Sequence, residues 1–211
     1  MSASEQLSPV ADPALTDTKS HFKAYAARLA ETLAGADWDA LGTLARELHD
    51  CWCNGRQVFF CGNGGSAGNA MHIANDFIYG ISKVFGSGLR AHALPANGSV
   101  VTCLANDEGY DQIFSYQLGV LANPGDVLIV FSGSGNSPNI VRALETANSM
   151  SMKTFAILGF SGGAAKETAD VALHFAIDDM QISEDLQMIL THMIMQWLYQ
   201  NRNSVPSARE S

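Results

Sequence analysis

No run of 18 consecutive apolar residues occurs in the 211-residue chain, so the sequence predicts no membrane-spanning helix. The opening residues MSASEQLSPVADPALTD carry neither a basic start nor an apolar core, which argues against a secretory signal. Basic residues are few: 12 Lys and Arg stand against 21 Asp and Glu, for a net charge of -9. Such a surface lacks the cationic footprint of nonspecific nucleic-acid binding. It does not exclude a small anion held by backbone N–H groups. Cysteine is scarce: Cys51 and Cys53 are one residue apart, and Cys61 and Cys103 complete no zinc knuckle. The expectation is four reduced, mostly buried thiols and a cytoplasmic location. Internal repeats, linkers and low-complexity tracts are missing as well, which leaves one globular domain.

The hydrophobic fraction is 47% and the pattern alternates between two periods. Residues 1–16 read as a flexible start, 17–200 as a single domain and 201–211 as a tail. Phe22, Tyr25, Ala26, Leu29 and Leu33 recur at helical spacing, Gly35-Ala-Asp37 breaks the helix, and Leu41, Leu44, Ala45 and Leu48 resume it. This N-terminal helical extension must bury its stripe on the domain or on another subunit. Apolar runs follow at QVFFC (57–61), RAHALP (90–95), VLIVF (127–131), TFAILGF (154–160) and LHFAI (173–177). Helical patterns separate them at 66–80, 110–122 and 138–150, and a last helix runs from 182 to about 200. That alternation predicts an α/β fold with a doubly wound, about five-stranded parallel sheet. Ligands of such folds sit at the carboxyl ends of the strands. Three of these ends carry unusual turns: CGNGGS, FSGSGNS and LGFSGG.

The first turn matches G-x-G-x-x-A at Gly62, Gly64 and Ala67, a weak dinucleotide fingerprint on its own. The second strand ends ALPANGS without a ribose-binding carboxylate, which argues against a nicotinamide cofactor. Two readings remain: a tight strand-to-helix turn, or a site for an anion or sugar hydroxyl using Asn63 and Ser66. FSGSGNSPNI is more specific. Ser132, Ser134 and Ser137 supply hydroxyls, Gly133 and Gly135 leave backbone N–H groups open, and Ser137-Pro138 suits a helix start. This combination can hold a phosphate monoester without Lys or Arg. No G-K-[ST] follows, so the loop is not an ATP-binding P-loop.

His72 and Asp76 lie four apart on one helical face. Glu184 and His192, eight apart on the last helix, point about 80° from one another. Together they offer two imidazoles and two carboxylates, a set suited to zinc or to divided acid–base work. Asp107 adds a carboxylate near an expected loop. His49 and His174 read as structural, His92 lies beside the second strand, and Met188, Met193, Met195 and Trp197 read as core or interface.

Taken in order, CGNGGSAGNAMHIANDF (61–77), LANDEGYDQIFS (104–115), GDVLIVFSGSGNSPNIVRALETA (125–147) and LGFSGGAAKETAD (158–170) resemble the sugar isomerase (SIS) domain of the phosphoheptose isomerase type. The resemblance covers nearly everything up to about residue 200 and implies a flavodoxin-like fold. It implies that Ser132, Gly133, Ser134 and Ser137 hold a sugar phosphate, and that Asn63, Gly64, Ser66 and Asp107 contact the substrate. It implies aldose–ketose isomerisation through an enediol, without an obligatory cofactor, with Asp76 as base and His192 as acid. Sedoheptulose 7-phosphate is the substrate type. Some members hold zinc, which here maps onto His72, Asp76, Glu184 and His192, with Glu184 also near substrate. Members are homotetramers with sites between subunits. A related group has lost the acid and base and binds the initiator DnaA, so a non-catalytic phosphosugar-binding or DnaA-binding regulator is the alternative.

Three positions depart from the pattern. Asp76 stands where the family has glutamate, Gly80 replaces a basic residue with Lys83 nearest, and Gly133 replaces a threonine. The last helix aligns in two registers: Ser183 with Thr191, or Glu184 with His192. The second keeps Leu186, Met188 and Leu190 at apolar positions, whereas the first puts Gln187 and Gln196 there.

Overall fold

The computed structural model describes residues 16–83 and 87–205. The expected flexible start up to residue 15 and the tail beyond 205 lie outside the described residues. Helices α1 (Thr18–Ala34) and α2 (Trp38–Cys53) come first, separated at the expected break, where Asp37 caps α2 by accepting from Ala40 N at 2.9 Å. Then follow β1 (Gln57–Cys61), α3 (Gly65–Asn75), β2 (Arg90–Ala93), α4 (Gly98–Asp107), α5 (Ser115–Leu121) and β3 (Val127–Ser132). The chain continues through α6 (Pro138–Ser149), β4 (Lys153–Leu158), α7 (Gly163–Thr168), β5 (Val171–His174) and α8 (Met180–Gln200).

The five strands form one all-parallel sheet in the order β2-β1-β3-β4-β5. Alternate residues of each strand feed opposite layers, as the two-residue side-chain period requires. Val58, Phe60, Val127, Ile129 and Phe131 pack with α2, α3 and α8. Phe59, Cys61, Leu128 and Val130 pack with α4, α5 and α6. Because the chain leaves β1 for β2 on one side and returns to β3 on the other, a crevice opens between the carboxyl ends of β1 and β3. The first glycine turn and the serine loop meet there.

Several boundaries differ from expectation. Helices α4 and α7 were not anticipated from the sequence. The helix expected at 66–80 changes to a π turn at Asp76–Gly80, and that expected at 110–122 divides into a 3-10 turn at Tyr110–Gln112 and α5. The last two strands end earlier than expected, and beyond β4 the backbone turns at Phe160 with φ of 45°. Residues 202–204 form a 3-10 turn held by His49, whose Nε2 lies 2.7 Å from Ser204 Oγ. Helix α1 lies along α8: Tyr25 donates to Asp185 at 2.5 Å and Arg28 to Asp179 at 2.8 Å, while Phe22 stays 67% exposed. Among the described residues no helix is long and apolar enough to cross a membrane.

At the opposite, amino end of the strands, buried Asp126 clamps β1 to β3. Its carboxylate accepts from Gln57 N at 2.8 Å, Gln57 Nε2 at 3.2 Å and Asn123 N at 2.8 Å. Asp126→Ala would strand these donors and is expected to cost about 3 kcal/mol. That lowers Tm by about 6–12 °C for a chain of this size, read by calorimetry. All four cysteines are free thiols. Burial pushes Cys51 up to about 12 and Cys61 higher still. Exposed Cys103 should therefore be alkylated first near neutral pH, with Cys51 and Cys61 protected until the protein unfolds, as peptide mass mapping will show.

Candidate active site

The crevice encloses a cavity of about 280 Å³. Asn63, Gly64 and Ser66 line it from the first turn, Ser132, Gly133, Ser134 and Ser137 from the serine loop, and Met180 and Glu184 from α8. No lysine or arginine is among the lining residues. A larger cavity, about 730 Å³, lies instead along β2, α4 and α5 and is mostly apolar. Its size reflects an open hydrophobic groove and not convergent polar chemistry, so the smaller cavity is the better candidate.

The serine loop is shaped by its own hydroxyls. Ser132 Oγ accepts from Gly135 N at 3.0 Å and Ser134 Oγ from Asn136 N at 3.3 Å, which leaves both O–H groups able to donate. Ser137 occupies the N-cap of α6, yet its side chain makes no capping bond; Pro138 carries no N–H and Ile140 N donates to Ser137 O at 3.0 Å, so the Ser137 hydroxyl and the Asn139 N–H remain for a ligand. The third turn braces the loop from behind. Gly159 N donates to Gly133 O at 3.0 Å, Ala165 N to Gly135 O at 2.9 Å, and Ala164 N to Asn136 Oδ1 at 3.0 Å.

The first turn is locked to the serine-loop helix. Asn63 and Asn139 exchange amide hydrogen bonds at 2.9 Å in each direction, and Tyr110 donates to Asn63 Oδ1 at 3.1 Å. Both lone pairs of Asn63 Oδ1 are thereby used, and one N–H remains for a ligand. Sequence reasoning missed Asn139 and Tyr110. The signal for Asn139 was a polar residue on the apolar face of α6, where it is 1% exposed.

His72, Asp76 and His192 converge where α3 passes α8. The two imidazole Nε2 atoms are 3.1 Å apart, and each lies 3.5 Å from Asp76 Oδ2. All three offered ligand atoms fall within 4.8 Å of one another. Tetrahedral zinc with ligands at about 2.0–2.1 Å spaces its donors by roughly 3.3 Å, so this set fits a three-ligand metal site with an open position. It equally suits a proton passed between carboxylate and imidazole.

The register of α8 follows from burial. Ser183 and Thr191 are 3% and 1% exposed, and each hydroxyl donates back to its own helix, to Asp179 O and Gln187 O, both at 2.7 Å. His192, and not Thr191, therefore meets Asp76. One expected reason for this register does not hold: Gln187 is fully buried, its Oε1 accepting from Asn69 at 2.9 Å and its Nε2 without a partner.

Two expected residues lie elsewhere. Glu184 does not join the metal-capable cluster. Eight residues before His192 places it about 12 Å back along the helix, beside the serine loop. Asp107 does not line the cavity: it ends α4, exposed, accepting from Cys103 at 3.5 Å and Asn106 at 2.7 Å. The other histidines serve structure. His92 stacks on Phe59 at 5.0 Å and His174 Nε2 lies 3.0 Å from Phe160 O.

The SIS domain family matches residues 21–159. Phosphoheptose isomerase of Chlorobaculum parvum is 43% identical over 150 residues, 71% of this chain and 72% of the relative. That of Helicobacter pylori strain 26695 is 35% identical over 176 residues, 83% of this chain and 91% of the relative. The solved phosphoheptose isomerase of Francisella tularensis superposes with a TM-score of 0.80 at 29% identity, covering 86% of this chain and 96% of that one. Its counterpart from Neisseria gonorrhoeae gives 0.78 at 28% identity, covering 87% and 100%. The sheet order, the three strand-end turns and these similarities agree: the chain belongs to the phosphoheptose isomerase group of SIS-domain proteins.

Proposed function

We propose that the protein interconverts the aldose and ketose forms of a phosphorylated sugar, with sedoheptulose 7-phosphate as the first substrate to test. The observation that carries this reading is the approach of His192 to within 3.5 Å of Asp76, on helices flanking a cationless serine cradle. The phosphate sits among Ser132, Ser134, Ser137 and the free Asn139 N–H at the start of α6. Asp76 takes the proton from the carbon beside the carbonyl. His192 gives a proton to the carbonyl oxygen as the electron pair moves there, and an enediol forms. Asp76, once its proton has exchanged with water, protonates the neighbouring carbon while the second hydroxyl loses its own proton to His192. The sequence is redox-neutral and needs no cofactor. A zinc ion held by His72, Asp76 and His192 would polarise the carbonyl oxygen.

The reaction is expected in the cytoplasm, within a homotetramer. Exposed Phe22, Trp38 and Trp197 on the outer helices support association, which light scattering tests. Sites between subunits would also give Asp107 its place beside a neighbouring cavity. The test of function is a coupled isomerase assay on six- and seven-carbon sugar phosphates, with His192→Ala as control. Turnover lost by about 10²-fold or more in His192→Ala supports the assignment. Absence of turnover in the wild type, with phosphosugar still bound, favours the non-catalytic regulatory reading.

A further inference from the structure

Leu186, Leu190 and Ile194 bury α8 in the core, yet Gln187 among them is fully buried too. Its partner is Asn69 of α3. Both hydrogens of Asn69 Nδ2 are spent on α8, one on Glu184 O at 3.0 Å and one on Gln187 Oε1 at 2.9 Å. A backbone carbonyl only accepts, so the Asn69 amide can stand only this way round. Gln187 must then turn its oxygen to Asn69 and its Nε2 away. That Nε2 is buried and has no partner among the described residues.

An unsatisfied buried donor is unfavourable, and an apolar side chain of similar length would fill the same space without one. What the amides supply is position. Glu184 and Gln187 are roughly 4.5 Å apart along the axis of α8. A fork bonded to both points fits one height of α8 against α3 and fails one turn away. Buried polar groups fix helix register in this way where apolar packing alone would let helices slide. Apart from the contact between His72 and His192, these are the side-chain hydrogen bonds joining α3 to α8 among the described residues. Asn69 lies three residues before His72 and seven before Asp76, so all three share one face. The fork thus stands close to the pair whose separation matters, His192 Nε2 and Asp76 Oδ2 at 3.5 Å. The His72 and His192 side chains are 54% and 42% exposed, so packing around them does little to set that distance.

We propose that Asn69 and Gln187 are positioning residues that set the height of α8 on α3 and, through it, the approach of His192 to Asp76. Neither lines the serine cradle. A misplacement near 1 Å between reacting groups can cost about 10²-fold in rate. The pair therefore acts on turnover and leaves phosphate binding alone. The kinetic consequence rests on the isomerase reading above, whereas the geometric one does not.

Gln187→Met, Asn69→Leu and the double variant test it, each read by Tm, by kinetics on sedoheptulose 7-phosphate and by crystal structure. Asn69→Leu strands the Gln187 oxygen in the core and should lower Tm by about 4–8 °C. The double variant removes both amides and should return Tm to within about 3 °C of wild type. Turnover should not return with it: kcat stays about 10- to 100-fold low, with KM and inorganic phosphate affinity within about threefold of wild type. Gln187→Met keeps one arm of the fork and should lower kcat by about tenfold at a Tm within about 3 °C. In the crystal structure of the double variant, His192 should stand about 1 Å further from Asp76. A merely structural pair would lose and regain turnover in step with Tm. That result, or a His192–Asp76 separation unchanged in the variants, overturns the proposal. If wild type turns over no sugar phosphate, the isomerase reading falls, and the separation still decides: widened, it upholds the positioning role, and unchanged, it ends it.

Discussion

Asp76→Asn is expected to lower the isomerisation rate by about 10²- to 10⁴-fold while leaving inorganic phosphate affinity within about twofold of wild type. The two effects separate because the groups are separate. Asp76 opens the π turn after α3 and touches His72 and His192, whereas the serine cradle is built from β3, the serine loop and the N-cap of α6. An amide preserves the shape of the carboxylate but cannot take a proton from carbon. It also removes the anion that both imidazoles face, so zinc content measured on the same preparations tells loss of a base from loss of a metal ligand. A rate unchanged in Asp76→Asn would move the base elsewhere.

Gly135→Ala should have the largest effect on the cradle itself. Gly135 adopts φ of 68°, and an added Cβ would lie 1.9 Å from Gly162 O. The backbone of the third turn cannot yield without breaking the bonds from Gly159 and Ala165 that brace the loop. Left-handed strain and overpacking together cost about 3 kcal/mol, a Tm loss of about 6–12 °C. Phosphate binding should be lost with the loop geometry. Gly98→Ala is the matched control: it begins α4 in open space and should leave both Tm and phosphate binding near wild type.

The sheet was legible because β1 and β3 are buried on both faces and so read as continuous apolar runs, each ending in glycine or serine. The serine cradle was legible for the same reason, since hydroxyls and glycines at a strand end have few structural uses. Helix α4 was not, because GSVVTCLAND mixes β-branched and small residues that carry no clear helical stripe. Its one cue was Asn97, which caps it by accepting from Val100 N at 3.2 Å. Periodicity alone did not settle α8 either. Buried Gln187 interrupts its apolar face because Asn69 of α3 satisfies part of it, a tertiary contact between residues 118 apart. For the Asn63–Asn139 lock, the polar Asn139 on the apolar face of α6 marks one member, but nothing local names its partner 76 residues away. The spacing of Glu184 from His192 gives its angle around the helix and not its height along it.

In the proposed reaction a cationless cradle delivers a sugar phosphate to the Asp76–His192 pair for proton transfer between adjacent carbons. Proton NMR of sedoheptulose 7-phosphate incubated with the enzyme in D₂O tests it most directly. A new aldose phosphate carrying deuterium at C2 is expected, with product and exchange both slowed by about 10²- to 10⁴-fold in Asp76→Asn. Phosphosugar bound by the wild type with no aldose formed and no deuterium incorporated at any carbon would contradict it.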